Sequence, residues 1–353
     1  MRYVGIDLSK HTFSAAYLDE NGVLVQQSQF STDDEGVGVF IGTLGPEDEV
    51  AFEAGCGMYR FYDLLVDRIA SVKVINTYKF KVIKSSIKKT DANDAMLIAR
   101  FLRMNELPEV FVVDPEYRIV RELAAFRKKL VSQNTMMRNR INALFQKHGI
   151  SLERRFLDNR KHRAHLLEID LPDDVFFQMT ICLKAIDLYE ESIEEIESKM
   201  KAVVTSHKQM YRDVSKLLQI PGIGEISSII ICAEIGGHIE RFKTKKEIAS
   251  YAGLVNRTQQ SGQTTRQVST KRGRPDLKTA LIHAVLSQVG RYKNPIVEYY
   301  LFKKSEKCVG KAAMASARKL LTGIYIMLKY NKDYYYVEKE LYYRKMRDFE
   351  CIA

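Results

Sequence analysis

Residues 1–30 read MRYVGIDLSKHTFSAAYLDENGVLVQQSQF. Three short runs, residues 2–8, 12–18 and 23–30, have the length and apolar or β-branched content of strands and are joined by tight turns. Asn21-Gly22 between the second and third is a strong hairpin signal, because the turn that matches strand twist needs positive φ at its centre. Working outward, a helix is expected from about Asp33, a fourth strand over residues 50–54, a helix over 58–69, a fifth strand over 72–75, and a helix from Thr90 to about Met104. Hairpin strands followed by strand–helix alternation predict an α/β domain, a mixed sheet flanked by helices.

Four acids stand out against this frame. Asp7 ends the apolar strand Val4-Gly5-Ile6-Asp7, Glu53 lies in the apolar fourth strand, and Asp91 and Asp94 are three apart in a first helical turn, so they share a face. Thr90 is a good N-cap and acids favour a helix N-terminus, which alone would account for Asp91 and Asp94. Asp7 could equally cap a turn before Ser9. Glu53 is harder to dismiss, because an ionised group in an apolar strand needs a partner. If the first and fourth strands are neighbours and the helix crosses their ends, all four carboxylates converge. Converging carboxylates repel unless they hold a hard cation, and oxygen donors suit Mg²⁺ or Mn²⁺.

The charge balance points the same way. The chain has 353 residues, 46% hydrophobic and 28% charged, with 55 Lys and Arg against 44 Asp and Glu, a net +11. Between Arg257 and Lys319 stand 14 basic and three acidic residues, so this stretch holds the surplus of the whole chain. A basic region on an otherwise balanced protein is the footprint of phosphate-backbone contact. Five scattered cysteines without a C-x-x-C pair suggest neither a disulfide framework nor a zinc site. The most apolar stretch, residues 226–235, contains Glu234 and is too short to span a membrane. A cytoplasmic protein with no membrane partner is therefore expected.

In the middle of the chain Met179, Cys182, Ile186, Tyr189, Ile193, Ile196, Met200 and Val203 alternate three and four apart, the seam of a coiled coil. An earlier helix, about residues 117–147, sets Leu123, Leu130, Met137 and Leu144 seven apart, with Asn134 at a seam position. Pro172 lies in the connection, so a long helical hairpin arm is expected. The last region, from about Lys216, reads as mainly helical. Pro221-Gly222-Ile223-Gly224 before an apolar run has the helix-hairpin-helix pattern, in which free N–H groups meet a phosphate; an ordinary helix corner would use similar residues. Residues 256–274 are polar and are expected to form a loop. The Tyr-rich tail, residues 331–353, suggests no role.

Taken together, Gly5-Ile6-Asp7, Glu53 and Lys89-Thr90-Asp91-Ala92-Asn93-Asp94-Ala95 resemble the D-E-D-D signature of an RNase H/RuvC-like nuclease fold. Downstream, Pro221-Gly222-Ile223-Gly224, residues 251–255 (YAGLV) and Gln260-Ser261-Gly262 are similar to the second domain of the DEDD insertion-sequence transposases, relatives of the pilin-gene invertase. The resemblance implies domains at 1–112 (RuvC-like), 113–212 (coiled-coil arm) and 213–330 (transposase domain), with the tail at 331–353. It implies that Asp7, Glu53, Asp91 and Asp94 bind Mg²⁺ and that Ser261 attacks DNA to leave a covalent phosphoserine. Here the family's Ser-Ser-Gly-Gly run is reduced to Ser261-Gly262, with Ser269 a weaker alternative. Gly222, Gly224, Arg257, Arg266, Lys271, Arg272 and Arg274 become candidate phosphate contacts, Arg being suited to bidentate binding. The implied partners are element-end and target DNA, a structured guide RNA, and further copies of the chain as a dimer or tetramer. Two rivals keep some of the same residues: a junction nuclease using water as nucleophile, and a non-catalytic nucleic-acid-binding protein.

Overall fold

The structure, a computed structural model, describes residues 1–55, 57–83, 90–255, 257–261, 264–268 and 273–350. It divides into two units, Met1–Val112 and Val113–Ala353.

The first unit is built on strands β1 (Tyr3–Leu8), β2 (Thr12–Leu18), β3 (Leu24–Ser31), β4 (Glu49–Glu53) and β5 (Ser71–Ile75), in the sheet order β3-β2-β1-β4-β5. β1, β2 and β3 run antiparallel, while β4 and β5 continue parallel to β1. This mixed sheet is consistent with the expected RNase H-like arrangement. The Asn21-Gly22 signal is realised: Gly22 has φ +83° and the Asp19 carboxylate accepts the Val23 N–H at 2.7 Å.

Alternation along the strands sends side chains to two faces. Val4, Ile6, Phe13, Ala15, Tyr17, Val50 and Phe52 pack with Val37 and Phe40 of α1 (Asp34–Gly42) and Phe61 and Leu65 of α2 (Met58–Leu65). On the opposite face Ala51 and Ile75 pack with Phe80 of α3 (Thr77–Ile83) and with Ile98 and Leu102 of α4 (Asp91–Arg103). α3 was not anticipated, because no Gly or Pro separates it from β5; Asn76 opens it by accepting the Lys79 N–H at 3.1 Å.

Among its described residues the second unit is helical, with one β-hairpin. α5 (Pro115–Lys147) and α7 (Asp173–Ser206) pack along one another, with the short α6 (Arg160–His165) between them in sequence. Met179, Cys182, Ile186, Ile196 and Met200 of the heptad series are buried, as are Leu130, Leu144 and Asn134. One end of the pair has its own core of Ile141, Phe145, Leu157, Leu166 and Ile186, tied by buried Arg163 to Asp187 and Glu190. The other end, Tyr117 and Val120 with Met200 and Val204, shares a core with the remaining helices. These are α8 (Lys208–Leu218), α9 (Glu225–Ile235), α10 (Lys245–Tyr251), α11 (Pro275–Leu286), α12 (Pro295–Glu306), α13 (Val309–Lys329) and α14 (Lys339–Glu350).

The tail is not loose. Phe349 of α14 is fully buried, and the Lys345 ammonium donates to the carbonyls of Leu218 (3.0 Å) and Ile220 (2.9 Å) at the end of α8. Burial pulls that ammonium down to about 8. Among the described residues no helix is long and apolar enough to cross a membrane.

Candidate active site

The sheet register aligns a polar row on one face. Asp7 pairs with Ser14, and Ser14 pairs with Gln29. On the other side Ile6 pairs with Phe52 in the parallel β1–β4 ladder, so Asp7 and Glu53 occupy corresponding positions at the carboxyl ends of neighbouring strands. Both belong to the face opposite Ile6 and Phe52, which is the face covered by α4.

α4 is held there closely. A Cβ added to Gly5 would stand 2.2 Å from the Ala95 carbonyl oxygen and 2.3 Å from the Ala99 nitrogen, so the helix backbone rests on the bare strand. Asp94, Ala95, Ile98, Ala99 and Leu102 form its buried stripe, and Asp94 is only 3% exposed. The Thr90 hydroxyl caps the helix by accepting the Asn93 N–H at 3.2 Å, and the Gln27 amide donates to the Ala92 carbonyl at 2.7 Å. Asp91 is exposed and lines an open polar groove with Ser14, Gln27, Gln29 and Thr90. The groove sets the first turn of α4 beside Ser14, the partner of Asp7.

Glu53, Asp7 and Asp94 therefore belong to one face, with Asp91 at its rim. Their oxygen donors have the chemistry a hard divalent cation requires. Among the described residues, however, no three His, Cys, Asp or Glu side chains are gathered closely enough to hold a metal ion. Ser14, Gln27 and Gln29 are not marked in the sequence; the signal is the Asn21-Gly22 hairpin, which lays the third strand beside the second and the second beside the strand that carries Asp7.

The polar segment expected as a loop is a hairpin. β6 (Arg257–Ser261) pairs antiparallel with β7 (Thr264–Val268), Ser261 opposite Thr264 and Gln259 opposite Arg266. Ser261 is thus the last strand residue before a two-residue connection. Thr258, Thr264 and Thr265 and a glycine at the connection were the available signal. Lys271 and Arg272 lie outside the described residues, as do Gly262 and Ser269.

Gly273 and Arg274, just before α11, are closely held. A Cβ on Gly273, which has φ +104°, would stand 2.5 Å from the Gly253 nitrogen, and the Arg274 N–H donates to the Tyr251 carbonyl at 2.9 Å. The Arg274 guanidinium reaches the Glu234 carboxylate at 2.5 Å, while the Tyr251 hydroxyl and Arg121 both donate to the Glu234 carbonyl. Arg241 lies over the Tyr251 ring, and burial holds its guanidinium below the usual range. Arg274, expected as a phosphate contact, is thus engaged with a carboxylate. The sequence signal for Glu234 is its place in an apolar run, where an acid needs a partner.

Pro221 and Ile223 are buried in the turn between α8 and α9. Gly222 needs its positive φ of +80°, and a Cβ there would meet Ala284 and Gln288 within 2.6 Å. Its backbone is packed on α11, with the Ser287 hydroxyl donating to its carbonyl at 3.0 Å. Gly224 is exposed with open space beside it, but the first turn of α9 already carries Glu225, paired with buried Lys201.

Two family models match the chain. One, described as a transposase and named for DEDD-type IS110 elements, matches residues 4–150; the other, the transposase IS116/IS110/IS902 family, matches residues 214–301. The chain belongs to the DEDD insertion-sequence transposases. It is 24% identical to a transposase for insertion sequence element IS1111A of Coxiella burnetii, over 95% of this chain and 91% of that one. It is also 24% identical to the pilin gene-inverting protein of Moraxella bovis, over 94% and 97% of the two chains. A probable family 20 transposase of Pseudomonas aeruginosa is 26% identical over 81% of this chain and 83% of its own length. This transposase thus carries both matched segments, one containing the acidic face and the other the serine hairpin.

Proposed function

We propose that this transposase cleaves and rejoins DNA by serine-based phosphoryl transfer, with Asp7, Glu53, Asp91 and Asp94 holding Mg²⁺. The observation that carries this reading is the register that puts Asp7 and Glu53 at the ends of adjacent parallel strands, beneath a helix whose buried stripe begins at Asp94. A bound divalent ion would supply charge stabilisation to a phosphate in transfer. The acids would hold the ion while Gln27 keeps the first turn of α4 in place and Gly5 seats the turns that follow.

The Ser261 oxygen attacks a DNA phosphorus, forming a Ser–O–P bond as one strand oxygen leaves and takes a proton. A hydroxyl of the recipient strand then attacks the same phosphorus, forming the new phosphodiester and returning the serine. Each step exchanges one phosphoester for another, so no external energy source is required. A serine hydroxyl is a poor nucleophile without activation, which is why the acidic site is needed for the same reaction. The concentrated positive surplus supports two polyanionic partners, the DNA and an element-encoded guide RNA. The working form is a homo-oligomer.

The test is covalent trapping with element-end and target DNA, candidate element RNA and Mg²⁺, resolved on denaturing gels. Wild type is expected to give a protein–DNA adduct that Ser261→Ala and Glu53→Gln both lose, with DNA binding retained by Glu53→Gln. Cleavage without an adduct, equal in wild type and Ser261→Ala, would replace this reading with a water-using nuclease. Wild-type adduct formation by Glu53→Gln would remove the acidic site from the chemistry.

A further inference from the structure

The C-terminal part of α12 and the facing side of α13 carry a surface that the core does not need. α12 buries Ile296, Val297 and Tyr300, yet Phe302 on the same helix is 55% exposed. Tyr299, Phe302 and Lys303 fall at i, i+3 and i+4, on one face. The Lys303 ammonium lies 4.7 Å from the Phe302 ring centroid and 5.9 Å from that of Tyr299. From α13, Lys319 approaches the Tyr299 ring at 4.6 Å, so the two helices share one cluster of rings and cations. Lys304 and Lys307 are exposed beside it, and Glu306 is paired with Lys303 at 2.7 Å.

We propose that this α12–α13 face is a stacking platform for an unpaired DNA strand. An exposed aromatic ring offers its face to a base only where that base is free of its own stack, which a duplex does not provide, and surrounding ammonium groups track the backbone. Lysine suits this task as a point charge on a flexible stem. A second copy of the chain is a poor occupant, because a self-complementary contact would set these lysines against their own counterparts. The choice of DNA rests on the strand-exchange reading above, in which cleaved strands must separate before they rejoin. None of these residues belongs to the acidic face or the serine hairpin.

The experiment uses the full chain and fluorescence anisotropy with a labelled 20-nucleotide oligo-dT, an oligo-U of the same length and a duplex of the same length. Phe302→Ala is expected to weaken oligo-dT binding by about 5- to 150-fold, the range for losing one stacked base, with duplex binding unchanged. Phe302→Trp should keep wild-type affinity, and Leu301→Ala, also on the exposed side of α12, should behave as wild type. Lys319→Gln should weaken oligo-dT binding and flatten its salt dependence. Equal losses on duplex and oligo-dT, or no loss from Phe302→Ala, would overturn the platform. A larger effect on oligo-U than on oligo-dT would overturn the choice of DNA. Ser261→Ala should bind oligo-dT like wild type, so failure of the serine chemistry and failure of this platform are separate results.

Discussion

Gly5→Ala is the sharpest probe of how the acidic face is assembled. The added methyl would meet the Ala95 carbonyl oxygen at 2.2 Å and the Ala99 nitrogen at 2.3 Å. Ordinary contact begins near 3.5 Å, so α4 must withdraw by roughly 1 Å. The opposing atoms are backbone, and no side chain can swing aside to spare the helix. Overpacking of this kind costs about 1–3 kcal/mol, while removing a glycine from a strand returns about 0.5–1 kcal/mol. The overpacking is the larger effect, so a fall in Tm on the order of 5 °C is expected for a unit of this size. Function should suffer more than stability. Asp94 adjoins Ala95, and in the catalytic role proposed for it a displacement near 1 Å costs about 100-fold in rate. The comparison is Gly38→Ala, on the exposed side of α1, where an added methyl meets nothing within 4 Å; its Tm should hold or rise. Melting curves and single-turnover DNA cleavage on both variants decide the matter. Wild-type Tm and wild-type cleavage in Gly5→Ala would show that the close seat of α4 on β1 does not position the acids.

Two further outcomes are expected. Glu234→Gln removes the charge opposite Arg274, and because Arg274 is partly exposed the cost should be about 1–2 kcal/mol rather than that of a fully buried pair. If the pair also positions the serine segment, adduct formation should fall further than Tm; a proportionate fall in both would argue that Glu234 serves stability alone. At Lys345, the folded chain releases its proton near pH 8 and the unfolded chain near 10.5. Between those values the unfolded state binds more protons, so the lysine's contribution to stability rises as pH increases through the window. Urea unfolding at pH 7, 9 and 10 should show wild type gaining stability relative to Lys345→Met as pH rises; a constant difference would mean that burial does not depress the ammonium's pKa.

What was legible in the sequence was local. The strands around Asp7 and Glu53 announced themselves through apolar content and turn residues, and Asn21-Gly22 imposed its hairpin without help from distant parts. Thr90 could be read as a cap because its partner is three residues away. The heptads of α7 were legible because Met179, Ile186 and Met200 repeat on one side of a single helix. α3 was missed because a helix following a strand without Gly or Pro leaves no mark. The hairpin of β6 and β7 reads as a loop in the sequence, since its strands carry no alternating apolar residues. The Tyr-rich tail gave no sign that Phe349 would be buried or that Lys345 would cap α8, both contacts spanning more than a hundred residues.

By itself, the sequence determined the residue types and the elements that carry them: acids at the end of one strand, in another and at the start of a helix, a serine in a polar segment, and a basic excess over one stretch. Those properties depend on side-chain chemistry and on neighbours within a turn or two. Only the tertiary structure decided which of them share a face. Sheet order put Asp7 beside Glu53, the absence of a side chain at Gly5 let α4 bring Asp94 down onto that face, and folding set Arg274 against Glu234. These pairings join residues tens of positions apart, and chain folding alone supplies the contacts that select them.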